Sequence, residues 1–200
     1  MAQTIDQPAR TRATLDTRAL IATAISLLLW GSAFAGIRAA LRGYPPGELV
    51  LLRFLIASAS LGVWALISKM PMPRARDLPA MAGLGLIGIA GYHIALTFGQ
   101  ETITAGAAGL IITTAPIFMA LLGRMFLGER LAILGWVGSL ISLAGVAVVS
   151  FGESGGFEWS PGVGLVLFAT FASSVFFVLQ RPYLKRYSAF QMTATGIWAG

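Results

Sequence analysis

His93 is the chain's single histidine, and Thr97 and Gln100 follow it at plus four and plus seven. On a helix that spacing places all three on one face, a polar stripe that begins at an ionisable group. An imidazole so placed can bind a polar group of a substrate or handle a proton; its structural alternative is a neutral ring hydrogen-bonded to a neighbouring helix. Thr113, Thr114 and Pro116 form a second cluster. Proline removes one helical hydrogen bond and clashes with the carbonyl four residues back, that of Ile112, so the helix is expected to kink and bare carbonyl oxygens. Such a kink lines a cavity, or else it only packs, its carbonyl met by a local threonine. Ser173, Phe177 and Gln180 share a third face, and Thr23, Ser26 and Trp30 a fourth. An aromatic wall with a few hydroxyl and amide partners suits a small amphipathic solute, although Trp30 serves equally well as packing. The candidate substrate-binding set is therefore Trp30, His93, Thr97, Gln100, Thr113, Thr114, Pro116, Ser173, Phe177 and Gln180, with His93 also the candidate for proton coupling.

Other chemistries lack their residues. There is no cysteine, so thiol chemistry, disulfides and cysteine-based metal sites are excluded. No His and Glu cluster has metal-ligand spacing, no glycine loop has the pattern of a phosphate cradle, and no serine stands in a nucleophile elbow. No catalytic residue, metal or cofactor is expected. Arg53 lies about one turn inside the outer end of the second apolar segment and is read as structural, snorkelling to the interface or pairing with an acid. Glu129-Arg130 is read as a solvated corner between two helices.

The elements that must position these residues are membrane spans. The chain is 56% hydrophobic and 11% charged, with a mean hydropathy of +0.80, whereas a soluble domain carries about 25% charged residues. The net charge of +6 does not point to nucleic acid, because the cations are spread over alternate gaps between apolar segments. They occur at Arg10, Arg12 and Arg18, then Lys69, Arg74 and Arg76, then Arg124 and Arg130, then Arg181, Lys185 and Arg186, while the intervening gaps hold Glu48, Glu101, Glu153 and Glu158. This is the positive-inside pattern of a multi-pass protein of the inner or plasma membrane with a cytoplasmic N-terminus.

A span needs about 20 apolar residues. Such stretches are expected over residues 18–41, 48–68, 78–99, 104–126, 131–151 and 161–180, and a seventh begins near Ala189. The fold class is thus all-α and polytopic, with six complete transmembrane helices and part of a seventh. The first stretch mimics a secretory signal, with Ala33-Phe34-Ala35 as a cleavage triplet, but its apolar run continues to Leu41, so an uncleaved helix is expected. The last stretch stops inside a helix, which would leave carbonyls unsatisfied in hydrocarbon, and the chain is expected to be a fragment. Short joints rich in Gly and Pro force antiparallel neighbours. Small residues at Gly85, Gly88 and Gly91, and at Gly135, Gly138, Ser142 and Gly145, provide ridges for close helix packing, with hinge motion as the alternative.

Trp30-Gly31-Ser32-Ala33-Phe34 followed by Tyr44-Pro45 has a weak echo in Phe171-Ala172-Ser173-Ser174-Val175-Phe176 followed by Tyr187-Ser188. The offset is roughly 142 residues, which makes a repeat of five helices, and an odd count inverts the second copy. Three stretches in order then resemble the EamA family of the drug/metabolite transporter superfamily. They are Leu29-Trp30-Gly31-Ser32-Ala33-Phe34 with Tyr44-Pro45-Pro46 and Leu52-Arg53-Phe54; Thr104-Ala105-Gly106-Ala107-Ala108 leading through Ala115-Pro116-Ile117-Phe118 to Leu127-Gly128-Glu129-Arg130-Leu131; and Leu143-Ala144-Gly145-Val146.

The resemblance implies a ten-helix 5+5 inverted-repeat fold and a secondary transporter, an exporter of small metabolites, amino acids or drug-like solutes working by alternating access. It divides the chain into a tail at 1–17, a first repeat at 18–151 and the start of a second at 152–200, with a full length of roughly 290 to 300 residues. The expected partners are a small-molecule substrate and the lipid bilayer, with a homodimer as a candidate assembly and no nucleic acid. The competing classes are an integral membrane enzyme acting on lipid-like substrates, which would need converging acid, base or metal groups, and a non-catalytic membrane scaffold.

Overall fold

The computed structural model describes residues 17–129, 133–152 and 160–200. The basic tail at Arg10 and Arg12, the corner residue Arg130, and the acidic gap with Glu153 and Glu158 lie outside the described residues. The chain divides into two units, Met1–Ala33 and Phe34–Gly200.

The first unit is described from Thr17 onward and is helical throughout; its helix, α1 (Thr17–Ala40), runs on into the second unit. Its Thr23 and Ser26 hydroxyls donate to the carbonyls of Ala19 and Ala22, each 2.8 Å away in the same helix. This back-bonding is how isolated hydroxyls are satisfied in an apolar helix.

The second unit continues with α2 (Pro46–Ile67), α3 (Leu78–Gly85), a π-helical segment at Leu86–Gly91, α4 (Tyr92–Gly99), α5 (Ala105–Ile112), α6 (Ala115–Leu127), α7 (Ile133–Gly152), α8 (Pro161–Leu179), the single turn α9 (Arg181–Leu184) and α10 (Ala189–Ala199). Among the described residues, five helical runs are long and apolar enough to cross a membrane: Ala19–Ala40, Pro46–Ile67, Leu78–Gly99, Ala105–Leu127 and Pro161–Leu184. The protein is a polytopic helical membrane protein.

The helix ends follow local chemistry. Extended Pro45 precedes Pro46 at the first turn of α2, where the missing N–H costs nothing. The Thr104 hydroxyl accepts from the N–H of Ala107 and caps α5. Gly128, at φ 68°, closes α6 in the left-handed conformation that glycine adopts without strain. Ser188 and Gln191 form a reciprocal capping box at the start of α10.

Packing centres on α4 and α8. Ile37, Leu49, Tyr92, Leu96, Ile111 and Val166 belong to one buried apolar cluster that joins α1, α2, α4, α5 and α8. Glycines set the closest approaches. A Cβ on Gly88 would overlap the Phe176 side chain, one on Gly85 the backbone of Gly196, and one on Gly162 the Gly99 carbonyl. The expected ridge at Gly85 and Gly88 therefore does pack. In α7, by contrast, Gly138 has nothing within 4 Å of its Cβ position.

Contacts between distant segments show that the connections alternate between two ends of the bundle. At one end Arg181 Nη1 donates to Glu129 Oε2, Tyr187 Oη donates to Asp77 Oδ2 at 2.6 Å, and Gln191 Nε2 donates to the Pro71 carbonyl at 2.7 Å. At the other, Arg38 Nη1 donates to the carbonyls of Gln100 and Glu101 at 2.6 and 3.0 Å. These are unsatisfied carbonyls at the end of a helix, where a cation also meets the negative end of the helix dipole.

Candidate functional site

The site begins with the π-helical segment. A π turn inserts an extra residue into the α register and so rotates everything after it by about 100° relative to an unbroken helix. Residues 92–99 follow this shift and are regular α-helix. Buried positions recur along the whole run, from Met81 and Gly85 through Gly88 and Ile89 to Tyr92, Leu96, Thr97 and Gly99, and His93 faces α2 and α10.

There it borders a cavity of about 300 Å³ lined by Val50, Arg53, Phe54, Ile56, Ala57, His93 and Ile197. Arg53 reaches from α2 so that Nη2 lies 3.4 Å from Nδ1 of His93. A guanidinium has only donors, so Nδ1 must present its lone pair and the ring proton of a neutral His93 sits on Nε2. The ring is held edge-on by Phe54 and Tyr92, with centroids 5.7 and 4.9 Å away. Arg53 Nη1 is buried without a hydrogen-bond partner. No described carboxylate lies within ion-pair distance of it. Among the described residues Arg53 thus has no acid partner; its guanidinium is directed to another helix's imidazole beside a cavity.

The stripe expected above His93 is present but sealed. Thr97 and Gln100 are both 0% exposed. Gln100 Nε2 donates to the Phe34 carbonyl at 3.0 Å, while Gln100 Oε1 and Thr97 Oγ1 are buried without partners. Gln100 therefore ties the end of α4 to α1.

Thr113, Thr114 and Pro116 make a separate locus. The helix is interrupted between Ile112 and Ala115, and the two threonine hydroxyls donate to the carbonyls of Leu110 and Ile111, each at 2.7 Å. On the facing helix Ser174 Oγ lies 3.4 Å from the Ala115 carbonyl and Phe171 stacks edge-on against Phe118 at 5.8 Å. Ser173 and Gln180 are buried, the former donating to Thr170 within its own helix, whereas Phe177 is exposed and rests on Phe176. Trp30, in the first unit, is exposed. Of the candidate set, His93 alone lines the cavity; Thr113 and Pro116 are exposed, and beside the interruption it is Ala115 and Phe118 that meet α8.

Residues 17–151 match the EamA-like transporter family. The chain belongs to that family. Over 182 residues it is 43% identical to YdfC of Bacillus subtilis (strain 168), described as an uncharacterized transporter, covering 90% of this chain and 59% of YdfC. It is 34% identical to a probable terminal-alkyne amino-acid exporter of Streptantibioticus cattleyicolor, with 92% and 62% covered, and 31% identical to an uncharacterized transporter of Archaeoglobus fulgidus, with 90% and 63% covered. The chain thus spans about three fifths of the length of these relatives. A solved crystal structure 24% identical superposes with a TM-score of 0.60, covering 86% of this chain and 61% of that one, and so shares its fold.

In this EamA chain the motif residues have distinct places. Arg53 and Phe54 of Leu52-Arg53-Phe54 border the cavity, Ala115-Pro116 opens α6, and Gly128-Glu129 terminates α6 and reaches Arg181. Sequence reasoning reads Arg53 as structural, whereas the structure places it on the cavity wall. The available signal was its charge, isolated within an apolar span.

Proposed function

We propose that the full-length protein is a secondary carrier that exports small metabolites, amino acids or drug-like solutes by alternating access, and that it is not an enzyme. The observation that carries this reading is the cavity among α2, α4 and α10, where two ionisable side chains, Arg53 and His93, meet within apolar spans. Polar groups are costly at this depth and are kept where a substrate or ion path needs them. The transporter names of the relatives support the same reading.

In this reading residues 18–151 are one repeat and residue 152 opens an inverted second one. Support comes from matching joints: Tyr44-Pro45 before α2 and Tyr187-Ser188 before α10 both enter a helix through an extended residue, at φ −58°, ψ 148° and φ −68°, ψ 155°. The N-terminus is cytoplasmic, since Lys69, Arg74, Arg76, Arg181, Lys185 and Arg186 all belong to connections at the end joined by Asp77–Tyr187 and Glu129–Arg181. His93 couples protons to transport. A proton on Nδ1 would end its contact with Arg53 and set two cations side by side, so protonation would rearrange the cavity wall.

The test is counterflow in proteoliposomes containing the full-length protein, preloaded with a mixed pool of amino acids and small metabolites, with and without a pH gradient. Saturable exchange that responds to the gradient is expected. An intact, folded protein that exchanges nothing across the pool would defeat the carrier reading.

A further inference from the structure

Arg53 carries five N–H donors on a planar fork, and the structure occupies one edge of it. Nη2 faces His93 Nδ1 at 3.4 Å, whereas Nη1 is buried with no hydrogen-bond partner. A buried cationic donor left unmade is costly, and a guanidinium fixed by a neighbour is a preorganised receptor for a planar two-oxygen anion. The rest of the wall is apolar: Val50, Phe54, Ile56, Ala57 and Ile197. The cavity of about 300 Å³ is at the small end of the range that binds organic ligands, roughly 300 to 1,000 Å³.

From this geometry we infer that the cavity is a carboxylate site: Arg53 binds the carboxylate of a small monoanionic solute whose short apolar tail lies against Val50, Phe54, Ile56, Ala57 and Ile197. His93 is the positioning residue that holds the guanidinium toward the cavity. The inference rests on the carrier reading and names the chemistry of its cargo. It favours singly over multiply charged solutes, because one cation balances one negative charge and the described wall offers no second. It also separates substrates by head group before tail, since the tail wall is made of aliphatic and aromatic carbon that discriminates weakly between chains differing by one methylene.

The experiment is calorimetric titration of the full-length protein in detergent with straight-chain alkanoates of four to eight carbons and with the matching neutral amides. The acid and amide of each pair have nearly the same shape, so their ratio reads the anion contact alone. At least one alkanoate is expected to bind on the order of tenfold more tightly than its amide. That preference should vanish in Arg53→Met and survive in part in Arg53→Lys, which keeps the charge but loses the fork. Equal binding of acid and amide by the wild type, or no binding of any alkanoate, would overturn the inference without reference to a variant. A preference unchanged in folded Arg53→Met would overturn it as well. Proteoliposome exchange separates the two readings. Saturable exchange of a neutral solute with no carboxylate preference would leave the carrier and remove the carboxylate site, whereas an Arg53-dependent carboxylate preference with no exchange of any alkanoate or of the mixed metabolite pool would leave the site and remove the carrier.

Discussion

Gly162→Ala places a methyl group where α8 begins against the end of α4. A Cβ there would overlap both the Gly99 carbonyl oxygen and Thr102 Oγ1, and would lie 3.1 Å from Ile103 Cγ2. The threonine can rotate away. The carbonyl cannot, because it already accepts from the N–H groups of Thr102 and Ile103 at 3.2 and 3.3 Å. Relief therefore requires the two helices to separate by roughly 1 Å, which forfeits a large part of the dispersion contact along the crossing. Overpacking of this kind costs about 1–3 kcal/mol. Gly164→Ala is the internal control: it lies two residues along the same helix, has nothing within 4 Å of its Cβ position, and gains up to about 1 kcal/mol of helix propensity. We expect Gly162→Ala to be less stable than Gly164→Ala by about 1–3 kcal/mol, read from reversible unfolding in mixed micelles by far-ultraviolet circular dichroism. If the two variants unfold within roughly 0.5 kcal/mol of each other, the close crossing of α4 and α8 is not what holds this end together.

His93→Ala in the full-length protein should impair exchange while the protein stays folded; wild-type rates at every pH would remove the proton-handling role. Pro116→Ala should change the apparent affinity for substrate if the α5–α6 break shapes the transport path, and unchanged kinetics would make it a packing residue. Tyr187→Phe removes a 2.6 Å bond to a carboxylate and should lower stability by about 1.5–3 kcal/mol, measured by the same unfolding assay, with no change expected if water replaces the hydroxyl.

The spans were legible because apolar length and charge alternation are properties of composition along the chain. The expected stretches at 48–68, 78–99, 104–126 and 161–180 correspond within a few residues to helical runs of the fold. What could not be read was how the third span turns. A π segment leaves the composition of Leu86–Gly91 unremarkable while rotating His93 relative to Gly85. His93 and Thr97 lie in α4 with Gln100 at its end, yet of the three only His93 borders the cavity, because burial depends on neighbouring helices that periodicity does not describe. For Arg53 the sequence suggests snorkelling to the interface or pairing with an acid, and the partner it meets is His93, 40 residues along the chain. At Pro116 the expected kink is present as a full interruption, but the hydroxyls of Thr113 and Thr114 bond the carbonyls of Leu110 and Ile111, whereas the sequence argument concerned that of Ile112.

The two ends of the bundle are joined by different physics, and this bears on how a carrier built this way would open. The end with Asp77 and Glu129 is tied by polar side chains: Arg181 and Glu129 are both about half exposed, at 42% and 50%, and Arg186 approaches Asp77 at only 4.0 Å. Exposed pairs of this kind contribute about 0–1 kcal/mol each, because water replaces either partner readily. The opposite end is tied by backbone. Gly99 and Gly162 touch through a carbonyl, and Gln100 and Arg38 bind main-chain oxygens of α1 and of the turn after α4. Parting that end would bare main-chain groups and break bonds to fully buried Gln100, whose loss water would not offset within a span. Of the contacts at the polar end, only the exposed pair Arg181–Glu129 and the long Arg186–Asp77 approach can break and re-form at low cost, since Tyr187–Asp77 and Gln191–Pro71 are partly buried; Arg53 and His93 lie between this end and the glycine crossing.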